Sequence, residues 1–230
     1  MLGVTVNALA IILGTLLGYL FKRILKKDVQ DVIMQAMGIS VVCIGIMDML
    51  EVKGNITMIL VLIISLAIGG AIGALCKIEY RLEQLGEYLQ HKLSKDENST
   101  LGEAFTSSVL VFCIGAMFVY GSIMAGAGDN STLYVKSILD GTVAMILASS
   151  LGWGVALSAV PVFVGQGAIA LCAGLLNPLL VAYPDVRIML TSIGGVLVMC
   201  IGINLLKIRK IRTADMLPAI LGCLAMIVLS

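Results

Sequence analysis

The stretch DVQDVIMQAMGISVVCIGI at residues 28–46 has a counterpart far along the chain, DVRIMLTSIGGVLVMCIGI at residues 185–203. Laid over each other without a gap, the two agree at eight of nineteen positions. The shared residues are the opening Asp-Val, one Gly and one Val in the middle, and Cys43-Ile44-Gly45-Ile46 against Cys200-Ile201-Gly202-Ile203. An internal repeat constrains architecture, and in a membrane protein the relative direction of its copies constrains mechanism.

Composition says what medium the chain lives in. Of its 230 residues, 60% are hydrophobic and 13% charged, and the mean hydropathy is +1.08. Soluble domains are about half apolar and about a quarter charged. The chain therefore carries more apolar surface than a water-soluble core of its size can hide, which makes it an integral membrane protein partnered by the lipid bilayer. A net charge of +1 gives no reason to expect a nucleic-acid partner. The six cysteines all lie in or at the end of apolar runs and form no CxxC pair, so they read as small buried hydrophobes. With His91 the single histidine, no metal site and no cofactor is expected. Leu2 to Phe21 is apolar with basic residues after it rather than before it, the reverse of a secretory signal, and reads as a retained first helix.

A helix crossing the hydrocarbon needs about 20 mostly apolar residues. Eight segments qualify: 2–21, 29–50, 57–76, 104–125, 134–152, 161–181, 187–206 and 214–230. Seven is the alternative, because Gly152-Trp153-Gly154 and Pro161 leave only a brief connection between the fifth and sixth. Lys22, Arg23, Lys26 and Lys27 crowd the first loop, Lys77, Arg81, Lys92 and Lys95 the third, and Lys207, Arg209, Lys210 and Arg212 the seventh. Short cytoplasmic loops are enriched in Lys and Arg. Eight spans put all three loops in the cytoplasm and both termini outside.

This orientation makes the repeat inverted, since one copy lies on the second helix and the other on the seventh. A weaker match extends it: Asn7-Ala8 faces Gln166-Gly167, and Leu16-Leu17 faces Leu175-Leu176. The fold expected is all-α and polytopic, with helices one to three repeated as six to eight. Residues 1–77 form the first repeat, 78–100 a cytoplasmic amphipathic helix and linker, 101–160 a central pair, and 161–230 the second repeat. In the 78–95 helix, Ile78, Leu82, Leu85, Leu89 and Leu93 recur at spacings of three and four. That helix could lie on the membrane surface or pair with another subunit. Gly14 and Gly18, and Gly69 and Gly73, have the GxxxG spacing that lets helix backbones approach, within one subunit or in a homo-oligomer. Gly165-Gln166-Gly167 and Gly152-Trp153-Gly154 are better candidates for helix interruption than the GxxxG pairs, with continuous and broken segments both open.

An ionisable group at membrane depth is a functional candidate by default. Asp140 is the strongest, with Lys136 one turn before it on the same face, where an ordinary i,i+4 ion pair is the competing reading. Ser137, Thr142, Ser149 and Ser150 offer oxygens that either line a polar path or bond back to their own helix. Asn7 and Gln166 are amides able to coordinate a cation or bond a polar substrate, with interhelical hydrogen bonding the competing reading. Asn204 flanks the last basic loop, and Asp215 there could neutralise Arg212 or cap the eighth helix, with Pro218 in its first turn. Asn177-Pro178 reads as a helix stop. No GxSxG, HExxH or Walker loop is present, so no enzyme activity is expected.

Three stretches carry a family resemblance: GVTVNALAIILGTLLGYLFKR, LYVKSILDGTVAMILASSLGWGV and IGINLLKIRKIRTADMLPAI. Across essentially its whole length the chain resembles the bacterial membrane proteins that include YqgA and YdfK. Asn7, Lys136, Asp140, Gly141, Asn204 and Pro218 match the family's motifs, while Asp215 stands where an asparagine is expected. The resemblance implies a bacterial inner-membrane location and carries no substrate. The function expected from the residues is secondary transport or ion conduction of a small solute or monovalent cation. The alternative is a membrane scaffold or sensor working through the 78–95 helix.

Overall fold

A computed structural model of the chain describes residues 1–81, 84, 88, 100–113, 116–175 and 182–226, and no strand occurs among them. The helices are α1 (Leu2–Leu20), α2 (Lys27–Met49), α3 (Ile56–Cys76), α4 (Thr100–Cys113), α5 (Ala116–Gly126), α6 (Ser131–Leu151), α7 (Gly154–Leu157), α8 (Ala159–Gly174) and α9 (Pro184–Leu205). A 3-10 turn, Leu50–Val52, extends α2, and a 3-10 segment, Ala214–Ala225, follows α9. Six stretches are long and apolar enough to cross a membrane, with α7 and α8 counted together as one; α4 and α5 make a seventh if their bent pair, inclined by 55°, counts as one span. The chain is thus an all-helical, multi-pass membrane protein.

Local chemistry sets the helix boundaries. Asn55 caps α3 by accepting a hydrogen bond from the Met58 N–H at 3.2 Å, and Lys77 closes that helix in the left-handed conformation at φ 53°. Pro184 occupies the first turn of α9, where its missing N–H costs nothing, and Asp185 complements the helix dipole there. Gly152 ends α6 at φ 85°, a conformation that favours glycine, so the candidate break at Gly152-Trp153-Gly154 is present. The candidate break at Gly165-Gln166-Gly167 is absent, because α8 runs unbroken from Ala159 to Gly174. Its first glycine packs against the ring of Phe118 instead. Helix packing therefore outweighs the intrinsic weakness of paired glycines.

Two compact units divide the chain: Met1–Ile33 with Leu82–Leu175, and Met34–Arg81 with Leu176–Ser230. In the first, α1 lies along α6. Gly3 meets Asn130 and Leu133, Gly14 meets the carbonyl of Gly141, and Gly18 that of Met145, so the two helices run parallel with backbones in contact. In α5, Gly126 makes the same kind of contact with the Ala170 carbonyl of α8, as Gly154 of α7 does with Leu101 of α4. At the end of α1, Tyr19 packs against Trp153 with ring centroids 5.1 Å apart, and the Lys22 ammonium sits 5.3 Å from the Tyr19 ring.

The second unit is built around α9. The two copies of the repeated stretch pack against each other there, Gly38 meeting Gly202 and Leu206 while Gly45 meets Gly195 and Met199, so α2 and α9 are antiparallel. The 3-10 segment runs antiparallel to α3: Gly73 abuts Asp215, Gly69 abuts Ala219, and Gly222 abuts Ser65. Where a full eighth helix was expected over 214–230, the described segment has 12 residues in 3-10 form. Pro218 lies inside it rather than in its first turn. A 3-10 helix rises about 2.0 Å per residue, so this segment covers about 24 Å. Asp215 does not cap it. Its Oδ1 accepts from the Glu79 N–H at 2.8 Å, the Glu79 Oε2 accepts from the Ala214 N–H at 2.8 Å, and Arg212 stands 3.5 Å from the other Asp215 oxygen.

Most of the 78–95 amphipathic helix, the Ser94–Thr100 linker up to residue 99, and Asn177-Pro178 lie outside the described residues. Of the cysteines, Cys200 and Cys223 are buried as expected, whereas Cys43, Cys76 and Cys172 are exposed on the protein surface. In a spanning helix that surface faces lipid, where a thiol is as acceptable as in a core.

Candidate functional site

The polar residues inside the first unit converge on one place. Lys136 and Asp140 lie one turn apart on α6, with the Lys136 Nζ 2.9 Å from Asp140 Oδ1 and 2.8 Å from Oδ2. From α1, the Asn7 amide donates one N–H to Asp140 Oδ2 at 3.0 Å and the other to the Gln166 Oε1 of α8 at 3.1 Å. Four side chains from three helices thus form one chain, Lys136–Asp140–Asn7–Gln166. Asn7 and Gln166 have no solvent exposure, and the Lys136 and Asp140 side chains are 7% and 9% exposed.

The glycine contacts of α1 allow this convergence. With Gly14 and Gly18 seated on carbonyls of α6, α1 comes close enough for a short asparagine side chain to reach Asp140. The Gly3 N–H, an otherwise orphaned donor at the start of α1, donates to the Asn130 Oδ1 at 2.9 Å and fixes the register. Apolar clusters enclose the polar chain at both ends. Toward the start of α1 and α6 lie Val4, Leu133, Ala125 and Ala170; toward their ends lie Ile11, Ala144, Phe112, Phe118 and Val162. Charges in so dry a setting interact far more strongly than at a surface, and neither member of the pair can be removed cheaply.

The two amides are incompletely satisfied. Asn7 spends both N–H groups and leaves its Oδ1 without a partner among the described residues, and Gln166 leaves its Nε2 likewise. Buried polar atoms of this kind are rare in native proteins.

The other expected site residues stand apart. Thr142 bonds back to the Ile138 carbonyl at 2.7 Å, and Ser137, Ser149 and Ser150 likewise donate to carbonyls of their own helix. Asn204 belongs to the second unit, where it donates to the Ile211 carbonyl and accepts from the Ile211 N–H at 2.7 Å, tying off the basic loop. Sequence reasoning did not find Asn130 or Glu79, each of which joins segments more than a hundred residues apart. Among the described residues, no group of three or more His, Cys, Asp or Glu side chains could hold a metal ion.

A buried ion pair wired to two amides inside a bundle of spanning helices defines a polytopic membrane protein with an internal polar site. The chain belongs to the family described as "Protein of unknown function (DUF554)", whose pattern matches residues 2–229. It is 34% identical over 222 residues to the "Uncharacterized membrane protein YdfK" of Bacillus subtilis (strain 168), covering 96% of this chain and 93% of that one. It is 27% identical over 225 residues to the "Uncharacterized protein YqgA" of Escherichia coli (strain K12), with the same shares covered. No solved structure matches the chain.

Proposed function

We propose that the protein is a secondary transporter of the bacterial inner membrane, moving a small solute or cation through the Lys136–Asp140–Asn7–Gln166 site, with no enzymatic step. One observation carries this reading: a charged pair and two amides sit at membrane depth, closed off by apolar clusters at both ends. An enclosed polar site suits a carrier that opens alternately to each side better than an open pore. Asp140 is the group whose charge an ion would alter.

Packing of the repeat supports an inverted architecture. The contacts Gly38–Gly202 and Gly45–Gly195 exchange with each other when the copies are swapped, because Gly38 aligns with Gly195 and Gly45 with Gly202. In the first unit, Asn7 bonds directly to Gln166, its partner in the extended alignment. Parallel α1 and α6 imply three crossings between them, which favours α4 and α5 as one broken span over a re-entrant loop. The three basic loops then fall together on the cytoplasmic side, with the N-terminus outside. The GxxxG pairs are consumed by contacts within the chain, so support for a homo-oligomer must come from elsewhere.

The test is flux in proteoliposomes under a proton or sodium gradient across a panel of small solutes, wild type against Asp140→Asn. Gradient-driven uptake that the variant loses is the expected result. If nothing in the panel moves or stabilises the wild-type chain, the reading falls. A static scaffold or sensor is the second reading, favoured by one observation: α1 and α8 pass Asn7 and Gln166 without a break. Deleting residues 82–95, which spares the Glu79 contacts, would then abolish capture of a partner while leaving the membrane bundle folded.

A further inference from the structure

We propose that two atoms of the Asn7–Gln166 amide pair, the acceptor Asn7 Oδ1 and the donor Gln166 Nε2, both without a partner among the described residues, bind a small neutral ligand that presents a hydrogen-bond donor and an acceptor, as a primary amide does, and do not bind a bare metal cation. The inference deepens the transport reading by assigning a substrate class to its site.

The argument starts at the ion pair. Asp140, paired with Lys136, presents carboxylate oxygens that only accept. Asn7 must therefore turn its Nδ2 toward Asp140 Oδ2, as it does at 3.0 Å. The second proton of the same Nδ2 then dictates the next residue, because Gln166 must offer its Oε1, which lies 3.1 Å away. Neither amide can be turned over without setting like groups against each other. The atoms left over follow: an acceptor, Asn7 Oδ1, and a donor, Gln166 Nε2. The charge on Asp140 has fixed the polarity of this pair of atoms.

These two atoms select by chemistry. A hard cation requires a shell of several oxygens. Among the described residues it meets one unpartnered oxygen with an NH₂ group on the bonded amide, and both Asp140 oxygens are already engaged. A bare anion meets one donor and one repelling acceptor. A neutral amide satisfies both atoms at once, its N–H donating to Asn7 Oδ1 and its C=O accepting from Gln166 Nε2. Leaving either atom unpaired is what disfavours the wrong ligand.

The probe is acetamide, with N,N-dimethylacetamide as the matched compound lacking a donor, and NaCl and KCl as the cation arms. Thermal unfolding of the purified full chain is followed as each is titrated. Acetamide is expected to stabilise the wild type saturably, with no such effect from N,N-dimethylacetamide or the salts. Gln166→Met, close to isosteric, is expected to raise the half-saturating acetamide concentration about fivefold to tenfold, the loss of one neutral hydrogen bond. Equal responses to the two amides, or specific stabilisation by sodium or potassium, would overturn the proposal. If Gln166→Met does not fold, the contrast between the two amides on the wild-type chain still decides. Flux separates the two readings. Cation flux lost in Asp140→Asn, without acetamide stabilisation, keeps the transporter and sinks this site. Acetamide stabilisation without flux of any solute does the reverse.

Discussion

At Asp140 a single substitution changes both stability and the polarity of everything bonded to it. Asp140→Asn leaves the Lys136 ammonium buried without its counter-charge, an arrangement that costs about 3–5 kcal/mol when one partner of a buried pair is removed. Thermal or denaturant unfolding in detergent should show that loss. The double variant Lys136→Met with Asp140→Leu removes both charges and should be more stable than Asp140→Asn alone. If the double variant is the less stable of the two, the pair does not behave as a desolvated unit. The two charged residues were legible in the sequence, because i,i+4 spacing on a helix puts them on one face whatever surrounds them. Asn7 was legible as an amide within an apolar run and as the counterpart of Gln166 in the extended repeat, but not as a partner of Asp140. Its bond to Asp140 spans 133 residues, and no local rule reaches that far.

Among the helices, the small residues divide into those that carry a contact and those that do not. A Cβ at Gly14 runs into the Gly141 carbonyl, a backbone group that cannot step aside, whereas one at Gly70 of α3 meets nothing within 4 Å. Gly14→Val should therefore destabilise by at least about 1–3 kcal/mol through overpacking and should separate Asn7 from Asp140. Gly70→Ala should be neutral or gain about 0.5–1 kcal/mol, since glycine in a helix interior is entropically costly. Unfolding midpoints of the two variants check both expectations. The GxxxG spacing was visible in the chain, but the surface each pair packs on was not. The sequence pattern equally left both outcomes open at Gly165-Gln166-Gly167, where the ring of Phe118 fills the space beside α8 and the helix continues. The 3-10 form of Ala214–Ala225 had no sequence signal beyond Pro218, which removes one helical donor without specifying what replaces it.

For the molecule as a whole, the testable property is its threading through the membrane. In a background without native cysteines, single cysteines at positions 24 and 208 should be labelled from the cytoplasmic side and one at position 54 from the outside, by a reagent that cannot cross the bilayer. Labelling of 24 and 208 from opposite sides would overturn the orientation. Composition alone determined that the chain is helical and membrane-embedded, because 60% apolar residues in runs of about 20 leave lipid as the only adequate solvent. It also determined where the basic loops lie, and the shared Cys-Ile-Gly-Ile stretch marked two helices as alike in sequence. Tertiary structure decided what those helices do with each other. The copies pack glycine to glycine, and in the other unit Asn7 bonds both Asp140 and Gln166. Periodicity along one helix fixes which face a residue occupies. Only close approach between backbones distant in sequence fixes what that face meets, and there the Asn7 oxygen and the Gln166 nitrogen are left without a partner among the described residues.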